Sequence, residues 1–108
     1  MTTITIFVDN KQNYTGFEVS GHAGYAQAGE DIVCAAISVL VTTTINSIEE
    51  FTDDFFGYEE DEKSGYMSFT LEETSSAEAQ LLLRSMVLGL SQISKQYDSY
   101  CKMIIREV

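Results

Sequence analysis

The sequence predicts one α+β domain over residues 1–108: a mixed or antiparallel sheet with two helices packed on one face, in the order ββαββαβ. Three observations carry this. Short β-branched stretches alternate apolar and polar residues, and two longer stretches do not alternate. Gly, Asn, Asp and Ser clusters separate them. A chain of 108 residues has enough apolar residues, 44%, for one core and not for two.

Thr2–Asp9 places Ile4, Ile6 and Val8 on one face and reads as a strand. Asp9–Asn13 is turn-like. Tyr14–Ser20 alternates again, with Phe17 and Val19 on one side and Glu18 on the other, so the two form a hairpin. From Asp31 to Gly57 no Gly or Pro interrupts the chain. Val39–Ile45 is β-branched enough for a strand, but length argues for a buried helix that ends near Phe51. Its expected inward face holds Ile32, Ala35, Ala36, Val39, Thr43 and the residues from Ile45 to Ile48. Phe55–Glu60 and Gly65–Leu71 form a second hairpin around Asp61–Ser64. Ser75 and Glu78 make a capping box for a second helix, with Leu82, Met86, Leu90, Ile93 and Tyr97 along one stripe. Gly89 inside that helix costs about 1 kcal/mol relative to alanine, which points to close packing there. Tyr100–Glu107 alternates around Cys101, Met103 and Ile105 as a last strand.

The net charge is −11, from 17 acids against 6 bases. A nucleic-acid binder needs the opposite balance, so no direct nucleic-acid contact is expected. Eight acids and no base lie between Glu49 and Glu62. A solvated helix end and hairpin explain them, and they are also a surface for a basic partner. No apolar run is expected to span a bilayer, and no signal-peptide layout is present, so no membrane association is expected. Two cysteines make no disulfide framework, which suits a reducing cytoplasm.

The stretch Ser20–Ser38 stands apart. It holds the one histidine, His22, and one of the two cysteines, Cys34, and three of the seven glycines lie in its first half at 21, 24 and 29. Glycines there imply a shaped loop. A helix with Asp31 as N-cap would put Cys34 in its first turn, where the helix dipole favours an anion. His22, twelve residues back, would fold over that helix end. A cysteine beside a histidine base is the minimal nucleophile pair, although an isolated Cys in a helix is more often a small buried apolar residue. Cys101, in an apolar strand, reads as structural.

The run Gly21-His22-Ala23-Gly24 to Gly29, then Asp31-Ile32-Val33-Cys34-Ala35-Ala36 and Ser38, resembles the signature of the bacterial ribosomal-processing cysteine proteases, the Prp family. The stretch from Gly21 to Ser38 is specific; the remainder agrees in length and pattern. The resemblance implies a Cys–His endopeptidase that removes a short N-terminal extension from a basic protein of the large ribosomal subunit. It implies Cys34 as nucleophile, His22 as general base, no cofactor, and a homodimer, which a free apolar sheet face would also favour.

Backbone N–H groups near Gly21 and Gly24 would supply the oxyanion hole. Asp31 has two competing roles. As a cap it would stabilise the helix by about 1 kcal/mol while its charge opposed the thiolate. As an orienter it would hold the His22 ring. The spacing favours the cap. Ser38, one turn after Cys34, would support the site by a hydrogen bond or bond its own backbone. Loop 23–30 would admit the peptide, with Tyr25 in contact, and would act as a lid. Three rival readings stand beside this one: a non-enzymatic ribosome-assembly factor, a hydrolase for another peptide or acyl substrate, and a metal site of His22, Asp31 and Cys34. The last matches no standard zinc spacing, so no metal is expected.

Overall fold

The computed structural model describes residues 1–21, 28–72 and 75–108, with the side chains of the first helix from Ile32 onward. The elements are β1 (Thr2–Val8), β2 (Tyr14–Ser20), α1 (Ala28–Phe51), β3 (Phe56–Asp61), β4 (Tyr66–Leu71), α2 (Ala77–Gln96) and β5 (Cys101–Glu107). This is the expected ββαββαβ order. The strands form one sheet ordered β3-β4-β2-β1-β5, antiparallel throughout except for the parallel pair β1–β5.

Alternation explains which strand residues face the helices. Ile4 lies opposite Val19 and Ile6 opposite Phe17, and Phe17 in turn opposes Phe69. These side chains join residues of both helices in one core. The Phe17 and Phe69 rings stack with centroids 5.1 Å apart, and Phe56 lies 4.9 Å from Phe69. The outward face carries Thr3, Thr5, Glu18, Ser20, Ser68 and Thr70, with Phe7 and Ile104 as its apolar members. The sheet face away from the helices is therefore largely polar, because Thr and Ser fill the out-phase positions of the central strands, and it is not the free apolar face that would favour a dimer. The case for a dimer through that face falls with it.

Helix α1 buries the expected Ile45 and Ile48, but its first half buries a different stripe from the one expected. Val33, Ile37, Val41, Thr44, Ile45 and Ile48 are inside, whereas Ile32, Ala35, Ala36, Val39 and Thr43 are exposed. The helix is apolar on nearly every side, so periodicity had little contrast with which to choose the face. Thr44 resolves its buried hydroxyl by donating to the Leu40 carbonyl at 2.8 Å. Also against expectation, the 20-residue span Ile32–Phe51 is long and apolar enough by length and composition to cross a membrane, with a mean hydropathy of 1.7 over an 18-residue window. Its inward stripe packs into the core.

The helix begins at Ala28, three residues before the expected start. Asp31 is its fourth residue and not its N-cap, and Cys34 is the seventh. The cap of α2 also shifts by one, from Ser75 to Ser76. The Ser76 Oγ accepts from the Ala79 N–H at 3.0 Å and donates to Asp54 Oδ1 at 2.6 Å, while the Ser76 N–H donates to Asp54 Oδ2 at 2.8 Å. Asp54, in the link between α1 and β3, makes Ser76 the better-anchored cap. Ser75 instead accepts from Gln80 Nε2. The Gln80 amide also pairs with both backbone groups of Tyr14, at 2.8 and 2.7 Å, and fastens α2 to β2. On the inner side of α2 the buried residues are Ala79, Leu83, Met86 and Leu90, with Leu82, Ile93 and Tyr97 packed partly buried against them. The close approach expected at Gly89 is real: a Cβ there would meet Leu40 Cδ2 at 2.6 Å.

Candidate active site

Four chain segments converge at one end of the sheet: the start of β1, the end of β2, the second turn of α1 and the start of β5. Thr2 is the first residue of β1 and shares the inward phase of Ile4, Ile6 and Val8, so its side chain points under the helices and is 3% exposed. Its N–H donates to the Tyr100 carbonyl at 3.0 Å, and it lies opposite Cys101 in the parallel pair.

Among the described residues the Thr2 hydroxyl has two neighbours. Its Oγ1 lies 3.4 Å from the Gly21 carbonyl oxygen, to which it donates, and 3.6 Å from Cys34 Sγ. The first distance is long for an O–H···O bond, and the second is ordinary for a bond to sulfur, in which either the hydroxyl or the thiol can donate. Gly21 closes β2 with φ +96°, where an added Cβ would run into the Met1 carbonyl oxygen. Only glycine leaves the strand this way, and the next residue along is His22.

Cys34 is half-buried, between the buried Val33 and Ile37 of α1. Lying in the second helical turn, it receives less from the helix dipole than the expected first-turn position would give, because that field fades beyond the first turn. The other thiol, Cys101, is 2% exposed. Burial pushes it up from the usual thiol range, and the nearby Cys34 and Asp98 push in the same direction. Cys101 is thus a neutral packing residue, as its place in an apolar strand implies.

One turn beyond Cys34, Ser38 is exposed and lines a groove with Val19, Ile37, Val41 and Met67. Glu60, Asp61 and Glu62 of the β3–β4 hairpin form its rim. Three members of the sequence-derived site therefore have a described backbone at this end of the molecule, Gly21, Cys34 and Ser38, and Asp31 has a described helical position. His22, Gly24, Tyr25 and most of the proposed lid lie outside the described residues. Among the described residues no group of His, Cys, Asp and Glu is placed to hold a metal ion. Thr2 was missed by sequence reasoning. Its signal was present: a hydroxyl residue in phase with Ile4, Ile6 and Val8 is a polar group at an inward position, which needs a partner.

The family model for cysteine protease Prp matches residues 1–102. The ribosomal processing cysteine protease Prp of Staphylococcus aureus strain Mu50 is 29% identical, with 95% of this chain and 97% of that protein covered. The protein of the same name from Bacillus subtilis strain 168 is 30% identical, with 90% of each covered. Among solved structures, the essential ribosomal processing protease Prp of S. aureus in complex with a substrate peptide superposes with a TM-score of 0.92 at 27% identity. That match covers 98% of this chain and all of the other. With family and fold in agreement, the chain belongs to the Prp family and is a cysteine protease of ribosomal-protein processing.

Proposed function

We propose that this protein is an endopeptidase that removes a short N-terminal extension from a basic protein of the large ribosomal subunit, with Cys34 as nucleophile and His22 as general base. The observation that carries the assignment of residues is the bridge through Thr2. One buried hydroxyl touches both Cys34 Sγ and the carbonyl of the residue preceding His22, so the chain that leads to the base is tied to the nucleophile. Prp of S. aureus has been solved with a substrate peptide and with a covalently linked product peptide, as expected of a nucleophilic thiol.

The chemistry follows from the residue types. His22 takes the thiol proton, and Cys34 Sγ attacks the scissile carbonyl to give a tetrahedral oxyanion. The oxyanion is held by N–H groups from the loop that contains Gly21 and Gly24. Collapse of the intermediate expels the amine, which His22 protonates, and leaves a thioester for water to hydrolyse. With its capping role removed by the earlier helix start, Asp31 is read as the orienter of His22. Asp31, Cys34 and Ser38 stand at i, i+3 and i+7 of α1, the spacing of one helix face. The groove beyond Ser38 has an apolar floor and an acidic rim, which suits an extension with apolar residues attached to a basic protein. The compartment inferred is the cytoplasm, the partner the precursor and a second copy of this chain, with no direct nucleic-acid or membrane contact.

The test is incubation of the purified protein with the extended precursor, followed by intact mass. The parent trims the precursor, Cys34→Ala and His22→Ala each reduce the rate by about a thousandfold or more, and light scattering gives twice the 12.0 kDa chain mass. An uncut precursor with folded parent protein refutes the proposal. Cleavage by Cys34→Ala or by His22→Ala removes that residue from its role.

A further inference from the structure

We propose that Thr2 is a positioning residue for the reaction: its hydroxyl holds Cys34 Sγ in place as a thiol and redirects its proton to the sulfur when the thiolate forms. This rests on the reading of Cys34 as the nucleophile.

A threonine hydroxyl has one proton to give and two lone pairs. The Gly21 carbonyl is an acceptor only, so in the resting state the hydroxyl proton goes to it, across 3.4 Å. The Cys34 S–H is then the donor across the 3.6 Å contact to Thr2 Oγ1. The result is a short relay: thiol to hydroxyl to carbonyl. Loss of the thiol proton to the general base turns the sulfur into an acceptor. Thr2 Oγ1 then has nothing to accept from it, and rotation about Cα–Cβ or Cβ–Oγ1 brings the hydroxyl proton to the thiolate. Two things follow from one rotation. The developing negative charge gains a charge-assisted hydrogen bond, and the Gly21 carbonyl is released at the moment when the next residue, His22, carries the proton.

The surroundings strengthen the effect. Thr2 is buried, so water does not compete for its hydroxyl, and a hydrogen bond to a charge counts for more in that setting. Its backbone is fixed on two sides, by the N–H bond to Tyr100 and by the pairing with β5. Among the described residues, the titratable groups nearby are Cys101 on β5, whose thiol burial pushes up with a further push from Cys34, and Asp98 before β5, which pushes Cys101 the same way. Leu83, Met86 and Leu90, the α2 residues in the shared core, carry no charge. Among the described residues, the Thr2 hydroxyl lies within hydrogen-bond distance of Cys34 Sγ, and it keeps its proton at every working pH.

The experiment is the pH dependence of iodoacetamide alkylation, with Cys34 and Cys101 separated by peptide mass, alongside the pH profile of kcat/KM on the precursor. Thr2→Val keeps the shape and β-branching and removes the hydroxyl; Thr2→Ser returns it. Thr2→Val moves the alkylation midpoint of Cys34 up by about one pH unit and lowers kcat/KM near neutrality about tenfold, with KM little changed. Thr2→Ser restores both. Thr2→Ala serves in the same role should the valine variant not fold. Superimposable profiles for parent and Thr2→Val overturn the proposal, and so does an equal shift in Thr2→Ser and Thr2→Val. Activity that survives Cys34→Ala overturns the underlying reading instead.

Discussion

Gly21 links backbone geometry to chemistry within a single residue. At φ +96° an L side chain is strained, and a Cβ would also strike the Met1 carbonyl and approach Thr2 Cα at 3.2 Å. Gly21→Ala therefore lowers stability by about 1–3 kcal/mol in urea unfolding, and cleavage falls further than stability because the carbonyl that meets Thr2 is displaced. Gly57→Ala is the control. Its Cβ would meet Thr70 O at 4.0 Å and nothing closer, so its effect stays within about 0.5 kcal/mol. A shift of similar size in both variants would show that the geometry at Gly21 is not special. At this scale residue type alone singled out Cys34, His22 and the glycines as candidates, and the expected need for glycine is visible in the positive φ of Gly21. Thr2 was not singled out, because a threonine in a β-branched run is a strand former first, and its role depends on Gly21 and Cys34, at positions far from it along the chain.

Helix starts show how a few atoms decide an element's boundaries. Asp54 accepts from both the N–H and the hydroxyl of Ser76, and these bonds hold its carboxyl below the usual carboxylate range. A depressed acid stabilises the fold above its unfolded-state value, near 3.8, and the contribution disappears as pH falls through the lower folded-state value. Asp54→Ala accordingly costs about 1 kcal/mol at neutral pH. The gap from the parent narrows below about pH 4 in thermal or urea unfolding; a gap independent of pH would assign the loss to something other than the charge. This pairing spans 22 residues, which explains why the local Ser75–Glu78 pattern misplaced the cap by one. For α1 the difficulty was different. Existence and C-terminus were readable from its uninterrupted length, but a helix with apolar residues all round offers several plausible faces, and only the sheet beneath selects one. Strands posed no such problem, since period-two alternation in β1 and β2 leaves a single choice of side.

Over the whole molecule, charge governs how partners arrive. A net −11 and an acidic hairpin rim next to the groove should speed the approach of a basic chain more than they tighten the final complex. With the inactive Cys34→Ala protein, the association rate for the precursor drops by about tenfold or more between about 20 mM and about 500 mM salt, while the dissociation rate changes less. A rate indifferent to salt would show that the acids serve solubility alone. Composition alone suggests a basic partner, and the salt dependence tests it. The strand order was not legible, because the 108-residue pattern is compatible with several arrangements and nothing local reports that β1 pairs with β5.

That pairing has a consequence in time. Thr2 and Cys101 are neighbours in the sheet but stand 99 positions apart along the chain. A ribosome adds about 5–20 residues per second from the N-terminal side, so for several seconds β1 exists without β5. During that interval Tyr100 is not yet there to fix the Thr2 backbone, and the inner wall behind Cys34 is missing. Long-range parallel closure is also the slow part of such a topology. The nascent chain thus carries its thiol long before it carries a proteolytic centre, and the protease becomes competent only after β5 has left the ribosome.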